Sequence, residues 1–521
     1  MFLTIVLGCV GVLAFLKVYF TWNSSYWKDR GVPEAKTENP LMKFIQMDFD
    51  FVKGDTQVYN QLKEKGFGGA MEFWNPVMFI TDLDLMKNIY IKDFNSFVNR
   101  RGFDLKEIDP HMHYLLGNHN GEAWKGLRSK MTPSFSTGKM RRMFHLFDIS
   151  SKKMITAIKK DICSDSQVEL RNFVKKFTMD VIASAAFGVE TNIYEDPNCL
   201  YAKMGTRIQA QFSKLSTVWK FFLLWLSPRL AKFLKVKITD DEADIFLSKV
   251  ITESLNHRQT TGNRRDDFLQ LMLEAKQGLL KDEEQQLDDD TKLKDTSSST
   301  NVVFNDDVII AQCFVFILGG FDTTEAMLSF AIYEIGISNE IQEKLYEEIK
   351  SAVEDTNGEL SYDVVSNLQY LDMVISETLR KYPPISRTDR RSTQPYKIPG
   401  SDITLPNDSL VVIPIYQVHH DSQYWPEPDT FDPERFSKEN ISKRHPCAYQ
   451  PFGQGPRNCI GNRFALLESK AVIAHLVLNF KLEPCDRTVI PIQFSCQGSI
   501  KPMDNICFDI KLRNSSVGTD N

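Results

Sequence analysis

The sequence contains no CxxC pair, and its nine cysteines fall at irregular positions: 9, 163, 199, 313, 447, 459, 485, 496 and 507. The odd count and uneven spacing argue against a disulfide framework and for a reducing compartment. Basic residues are not in excess: 62 Lys and Arg stand against 68 Asp and Glu, a formal net charge of -6. That balance argues against nucleic acid as a partner. No internal repeat is visible, which removes solenoid and propeller architectures. No flavin- or NADPH-binding module is present either, so the chain cannot accept hydride by itself.

Charge is also missing from residues 2–16, FLTIVLGCVGVLAFL. As a helix, 2–22 spans roughly 31 Å, about the thickness of a hydrocarbon core. Lys17 can snorkel to the interface, and Tyr19, Trp22, Tyr26 and Trp27 suit the headgroup belt. Lys17, Lys28 and Arg30 follow the apolar run, and nothing positive precedes it except the terminus. A cleaved signal peptide has the opposite order, and a mitochondrial presequence is Arg-rich and amphipathic. The expectation is a transmembrane anchor over 1–22 with the rest of the chain on the cytosolic side. Gly31 and Pro33 break any helix, so 23–36 is expected as a short stiff linker.

What the chain has in quantity is apolar bulk: 42% hydrophobic residues and 36 Phe, enough for a core that encloses a large cofactor. Helical periodicity dominates from about 55 to 380, most clearly over 82–93, 140–160, 168–187, 240–257 and 305–336. Beyond 385, short β-prone pieces (YKIPG, ITLP, SLVVIPIY, ICFDIKL) alternate with Pro-rich turns, and one helix is expected at 462–480. The fold class is mainly α with small β-sheets. The charged, Ser/Thr-rich stretch 281–301 reads as a solvated loop inside one catalytic domain, 37–513, and 514–521 as a disordered tail. The apolar run 308–321 is too short for a second span, and Asp322 and Glu325 would lie near the bilayer centre. A helix through a soluble core is expected there.

The segment 451–463, PFGQGPRNCIGNR, is a turn-rich loop that runs into the last helix. Cys459 stands just before that helix, where backbone N–H groups stabilise a thiolate. Arg457 adds a positive charge two residues away, and Phe452 can shield the sulfur. A lone buried cysteine is ordinarily structural, but every fixed position of F-x-x-G-x-R-x-C-x-G is filled here. The segment closely resembles the cysteine-ligand loop of the cytochrome P-450 family, and the resemblance extends over nearly the whole chain after residue 30. It implies the cytochrome P-450 fold and a haem b whose iron takes Cys459 as its axial ligand. Thiolate ligation pushes electron density into the metal and favours O–O cleavage.

Four further stretches carry the same resemblance. Glu377 and Arg380 in SETLRKYPP share a helix face, which alone is an ordinary ion pair. With Arg435 in PERF, the resemblance implies a buried structural network beneath the cysteine loop. GGFDTT, Gly319 to Thr324, puts two glycines inside a helix at a cost of about 2 kcal/mol relative to Ala, which argues for a purpose. The resemblance implies that Gly319 and Gly320 let the helix pass close to the macrocycle. It assigns Thr323 a hydrogen bond to dioxygen and Asp322 a proton relay. Trp124 and Arg128, an i,i+4 pair that alone reads as a cation–π contact, become propionate partners. Arg390 joins them, with Arg387 and Arg391 as near alternatives, and Arg457, Phe452 and Gly461 complete the haem-binding set. The run HHDSQYWPEPDTFDPERF follows the family's meander. Its His419 and His420, with His445 and Cys447, fit no common zinc spacing.

The texture is closest to microsomal animal enzymes that handle drugs, plant toxins and pesticides. The resemblance therefore implies a monooxygenase of the endoplasmic reticulum membrane that inserts one atom of O2 into a lipophilic small molecule. NADPH–cytochrome P-450 reductase is the implied electron donor and cytochrome b5 an optional one. Pocket walls are implied at 100–120, 205–225, 311–319, 385–389 and 497–500, with Phe314, Phe316, Ile385 and Ile500 as contacts. Lys125, Lys130, Lys139, Arg141, Arg142, Lys443 and Arg444 are expected as a basic patch for an acidic partner, or else as a solvated charge face. The run FFLLWL, 221–226, is either a membrane-dipping segment or a buried helix. A haem-thiolate isomerase or dehydratase would lack the Asp322–Thr323 pair. A haem sensor would carry a regulatory domain, and none is visible.

Overall fold

The strongest periodic segments become helices close to the expected boundaries. The computed structural model describes residues 23–513 apart from 24, 39–49, 73, 197–198, 214–216, 218, 221–222, 225–226, 280–303, 355, 357 and 497–498. The expected anchor 1–22, the tail 514–521, all of 281–301 and most of 221–226 lie outside the described residues.

Along the chain come α1 (Phe51–Leu62), the antiparallel strands β1 (Phe67–Glu72) and β2 (Asn75–Ile80), α2 (Gly121–Met131) and α3 (Thr137–Asp161). The short strand β3 (Gln167–Glu169) leads into α4 (Leu170–Ile182), whose first N–H groups are capped by the Glu169 carboxylate. Next is α5 (Asp241–Thr261), capped by Asp240. The long α6 spans Asp306–Ile337, and Asn305 caps it by accepting from the Val308 N–H. After α7 (Gln369–Lys381) come four short strands: β4 (Thr388–Arg391), β5 (Tyr396–Lys397), β6 (Thr404–Leu405) and β7 (Leu410–Ile413). Last are α8 (Asn462–Asn479), β8 (Phe480–Glu483), β9 (Phe494–Cys496), β10 (Ile500–Pro502) and β11 (Cys507–Leu512).

The strands form small sheets at the margin of the helical core. One has the order β1-β2-β7-β4, another β3-β11-β8, and β5-β6 and β9-β10 are two-stranded. The β-prone pieces beyond 385 each supply a strand, as their alternation predicts. The strands β1 and β2 depart from the expected helical texture of 55–380. They read FGGAME and NPVMFI, too short to establish a period of two, and the first carries two glycines.

The segment expected as a short stiff linker, 23–36, packs on β1. Trp27 is 2% exposed, and its indole N–H donates to the Ala70 carbonyl at 3.0 Å. It lies flat on Gly69, where any side chain would collide with the indole ring. Glu34 bridges Gly69 in parallel, and Val32 and Ala35 are buried. The second glycine of FGG is thus the receptor for an aromatic residue expected in a lipid headgroup belt. Burying an indole against a sheet outweighs a place at an interface, since it removes the whole apolar face from water.

Apolar all round, α6 is buried through the middle of the core, as its composition predicts for a helix that does not face lipid. It is not uniform. Ile317–Phe321 forms one π-helical turn at the glycine pair. Such a turn inserts one residue into the helical register and is frequent at functional sites.

Candidate active site

The cysteine loop is a backbone cage. Gly453 and Gly455 both have φ of 72°, a conformation that L side chains rarely adopt. Gly455 also lies so close to the Tyr90 carbonyl that no Cβ fits. The Cys459 N–H donates to the Phe452 carbonyl at 2.8 Å, which closes the loop, and Gly461 precedes α8. The sulfur opens into a cavity of about 400 Å³. Burial pushes the Cys459 thiol up, while the Gly461 N–H and the guanidinium groups of Arg128 and Arg100 pull it down. Arg457 does not act on the sulfur as expected. Its guanidinium donates to the Val98 carbonyl and, at 2.5 Å, to that of His119, and stacks 4.7 Å from the Trp124 ring. The turn and bend at 456–458 turn its side chain away, so it staples the 98–119 segment to the cysteine loop instead.

The cavity is lined by Phe452, Gly461 and Phe464 around the cysteine, by Phe316, Gly319, Gly320 and Thr323 of α6, and by Trp124, Arg128, Leu379, Pro384, Ile385 and Thr388. Its walls are mainly apolar. Phe316 sits in an aromatic group with Phe135, Phe268 and Phe464 at centroid distances of 5.6, 3.8 and 5.7 Å. Phe314 and Ile500, expected as pocket contacts, lie outside this lining. Phe314 is turned by the helical period to stack on His111, 5.3 Å away and 12° from parallel. Ile500 is fully buried, and its N–H donates to the Pro384 carbonyl at 2.9 Å.

At one end of the cavity stand guanidinium groups without counterions. Arg100, Arg128 and Arg457 line it, and Arg390 lies beyond, 0% exposed. Among the described residues none of the four forms an ion pair with a carboxylate. Arg128 donates only to the backbone and side-chain oxygens of Asn458, at 2.9 and 2.8 Å, and Arg100 to the Arg457 carbonyl at 3.0 Å. Arg390 spends one nitrogen on the Asp389 carbonyl at 2.8 Å, and its Nε and Nη2 have no partner; nor does Nε of Arg100. Burial, reinforced by Arg100, pulls Arg390 down to about 9, and the same two causes with Arg390 pull Arg457 down to about 8. Buried donors aimed together with no acceptor call for an anion with several oxygens. A planar dicarboxylate whose metal meets Cys459 fits that donor set.

The neighbouring arginines separate cleanly. Arg387 pairs with Asp55 at 3.1 Å and with Glu72, which also takes Arg101 at 2.5 Å. Although burial opposes it, these two cations hold the Glu72 carboxyl down at about 2. Arg391 pairs with Asp408 at 2.9 Å. Among the described residues only Arg390 of the three has no carboxylate partner. Arg100 was expected only within the 100–120 wall and not as an anion partner; the signal was the doublet Arg100–Arg101, in which Arg101 takes the acids.

The hydroxyl of Thr323 donates to the Gly319 carbonyl at 2.5 Å across the π turn. A Cβ at Gly319 would meet no protein atom within 4 Å, whereas at Gly320 it would touch Ile182 at 3.3 Å. Gly319 therefore faces open space, and Gly320 lets α4 approach. Asp322 does not line the cavity. Its carboxylate is held by Lys501 and by the Ser499 hydroxyl, which donates at 2.9 Å.

Behind the loop, Glu377 accepts from Arg380 at 2.8 and 2.9 Å and from the Asp432 N–H at 3.0 Å, with Arg435 3.4 Å away. His419 extends this group. Burial keeps its ring neutral, so Nδ1–H donates to the Arg380 carbonyl at 3.1 Å and Nε2 accepts from the Gln450 N–H at 2.9 Å. The buried pair is thereby wired to the start of the cysteine loop. The expected basic patch is largely compensated, because helix spacing and neighbouring loops supply acids. Lys125 pairs with Glu122 at 2.8 Å, Arg141 with Asp363 at 2.5 Å and Lys443 with Glu439 at 2.6 Å. Arg444 stacks 3.9 Å from the Trp425 ring centre.

Comparison with known proteins agrees with this geometry. The family model described as Cytochrome P450 matches residues 56–507. "Cytochrome P450 9e2" of Blattella germanica is 35% identical over 499 residues, covering 92% of each chain. "Probable cytochrome P450 6a14" of Drosophila melanogaster is 36% identical over 482 residues, 90% of this chain and 92% of that one. "Cytochrome P450 6k1" of Blattella germanica is 34% identical over 499 residues, 95% of this chain and 94% of that one.

Proposed function

Because this chain belongs to the cytochrome P-450 family, we propose that it is a haem-thiolate monooxygenase acting on lipophilic small molecules. The single observation that supports the reading best is the set of buried, uncompensated guanidinium groups on a cavity that also exposes Cys459. In this reading Arg100, Arg128 and Arg390 hold the two propionates of a haem b, with Trp124 packed beside them, and Cys459 ligates the iron. The haem supplies activation of molecular oxygen when bound.

The rest is done by the chain. Phe452 covers the sulfur side, and the apolar walls around Phe316, Leu379 and Ile385 keep water out and accept a greasy substrate. Thr323 releases its bond to the Gly319 carbonyl and turns its hydroxyl toward the cavity, and Asp322 carries protons to it from solvent. Electrons come from NADPH through a separate reductase, with cytochrome b5 as a second donor, at the endoplasmic reticulum membrane. Since the basic patch is compensated, docking there proceeds by exchange of ion pairs between the chain's own acids and the partner's.

The test is the reduced carbon monoxide spectrum together with isotope labelling. Purified wild-type protein should give the thiolate-type spectrum, and Cys459→Ala should lose it. With NADPH, reductase and a panel of lipophilic compounds under 18O2, one labelled oxygen should enter product. Turnover without NADPH or O2 would instead mark an isomerase or dehydratase.

A further inference from the structure

We propose that Lys501, with Ser499, is a positioning residue for Asp322, so that the β9–β10 hairpin decides when a proton reaches the cavity. The inference rests on the reading of Asp322 as the proton carrier.

The observation is a two-point clamp between the hairpin and α6. Asp322 follows the π turn and adjoins Thr323, which lines the cavity. Its carboxylate is tied to the Lys501 ammonium and to the Ser499 hydroxyl, on and just before β10. One turn further on, the buried Glu325 accepts from Arg171 Nε at 2.7 Å. The same guanidinium donates from Nη1 to the Pro502 carbonyl at 2.8 Å. Residues at both ends of β10 are thus fixed to a single turn of α6. Between them, the Ile500 N–H donates to the Pro384 carbonyl, and Pro384 and Ile385 are cavity wall. A continuous path of direct bonds runs from the wall through Ile500 to Lys501 and Asp322.

Position makes this path a control on proton flow. The Asp322 and Lys501 side chains are 26% and 22% exposed, between solvent and the cavity. A carboxylate gripped by an ammonium and a hydroxyl is held in place. To serve the cavity, Asp322 must leave Lys501, take a proton from water and pass it to the Thr323 oxygen as the Thr323 hydroxyl proton moves on toward the oxygen being reduced. Asp322 then takes a new proton from solvent. A substrate pressing on Pro384–Ile385 displaces Ile500 and with it Lys501, which frees the carboxylate. Proton delivery is thereby tied to an occupied cavity, and an empty one wastes little NADPH.

The experiment uses the full chain loaded with haem, in membranes with NADPH–cytochrome P-450 reductase and no added ligand. Lys501→Met should raise hydrogen–deuterium exchange of 494–502 roughly tenfold, the size expected from losing a charge-assisted bond. It should also raise ligand-free NADPH consumption several-fold, and Lys501→Arg should restore both. Ser499→Ala should act in the same direction but more weakly, and serves if Lys501→Met fails to load haem. Adding Asp322→Asn to Lys501→Met should return NADPH consumption to the low level of Asp322→Asn alone. Faster exchange in Lys501→Met with unchanged NADPH consumption would overturn the positioning role. With a turned-over lipophilic substrate added, Asp322→Asn consuming NADPH like wild type would overturn the relay reading itself, and this inference with it.

Discussion

Arg390 shows how one side chain can be costly to the empty protein and necessary to the loaded one. It is fully buried with two unpartnered nitrogens, and Arg100 adds repulsion. Removing an unpaired buried charge stabilises a fold, whereas removing one member of a satisfied pair destabilises it. Arg390→Leu is therefore expected to raise the Tm of the haem-free chain while speeding haem transfer to excess apomyoglobin by roughly tenfold or more. Equal haem-loss rates in the two proteins would remove Arg390 from the propionate set. At this scale the sequence was most legible where chemistry is rare. Cys459 and the Glu377–Arg380 pair stood out through the motifs around them, since a lone thiol or an i,i+3 ion pair is by itself ordinary. Rotamer-dependent roles were not legible. Arg457 turns away from the sulfur it flanks, and Phe314 points to His111 instead of the cavity. His419 gave no signal, because its role depends on carbonyls distant in sequence.

At the scale of elements, the π turn of α6 separates two adjacent glycines into different duties. Alanine at Gly319 meets no protein atom and gains helix propensity, so Gly319→Ala should stabilise the haem-free fold by about 0.5–1 kcal/mol. It should also weaken ligand binding, read as a smaller haem spectral shift. Gly320→Ala should gain less stability than Gly319→Ala, because its Cβ presses on the tip of Ile182 at 3.3 Å. A second prediction concerns the group Asp55–Glu72–Arg101–Arg387, which joins α1, β1 and the start of β4. Because the folded Glu72 carboxyl is lowered to about 2, its contribution is present above the ordinary carboxylate value and is lost as pH falls through the interval down to about 2. Glu72→Gln should cost about 3 kcal/mol at pH 7 in urea unfolding. The gap from wild type should narrow steadily below about pH 4.5, and a constant gap would refute the assignment. Long helices were legible from periodicity over many turns. The inserted residue of the π turn and the six-residue strands β1 and β2 were not, since neither is long enough to establish a period.

For the whole molecule, the surprise is where the catalytic body begins. Trp27, Val32 and Ala35 belong to it, although Gly31 and Pro33 made the stretch read as a spacer. Composition reports what breaks a helix; it does not report what a distant glycine leaves room for. Deleting 2–22 should leave the Tm of the remaining chain within a few degrees of wild type. Deleting 2–36 should lower it sharply, because the Trp27 indole leaves the face of β1 bare and the Ala70 carbonyl unbonded. Equal melting curves for the two truncations would show that the docked segment adds nothing. The same docking sets the length of tether. With a bilayer anchor ending at Trp22, only four residues precede Trp27, about 14 Å of chain even when fully stretched. A body on so short a leash cannot tumble. A body anchored in this way would meet the lipid surface in a narrow range of tilts, so one rim would always face the oily phase where poorly soluble molecules collect, and a flexible insert after residue 22 would erase that bias.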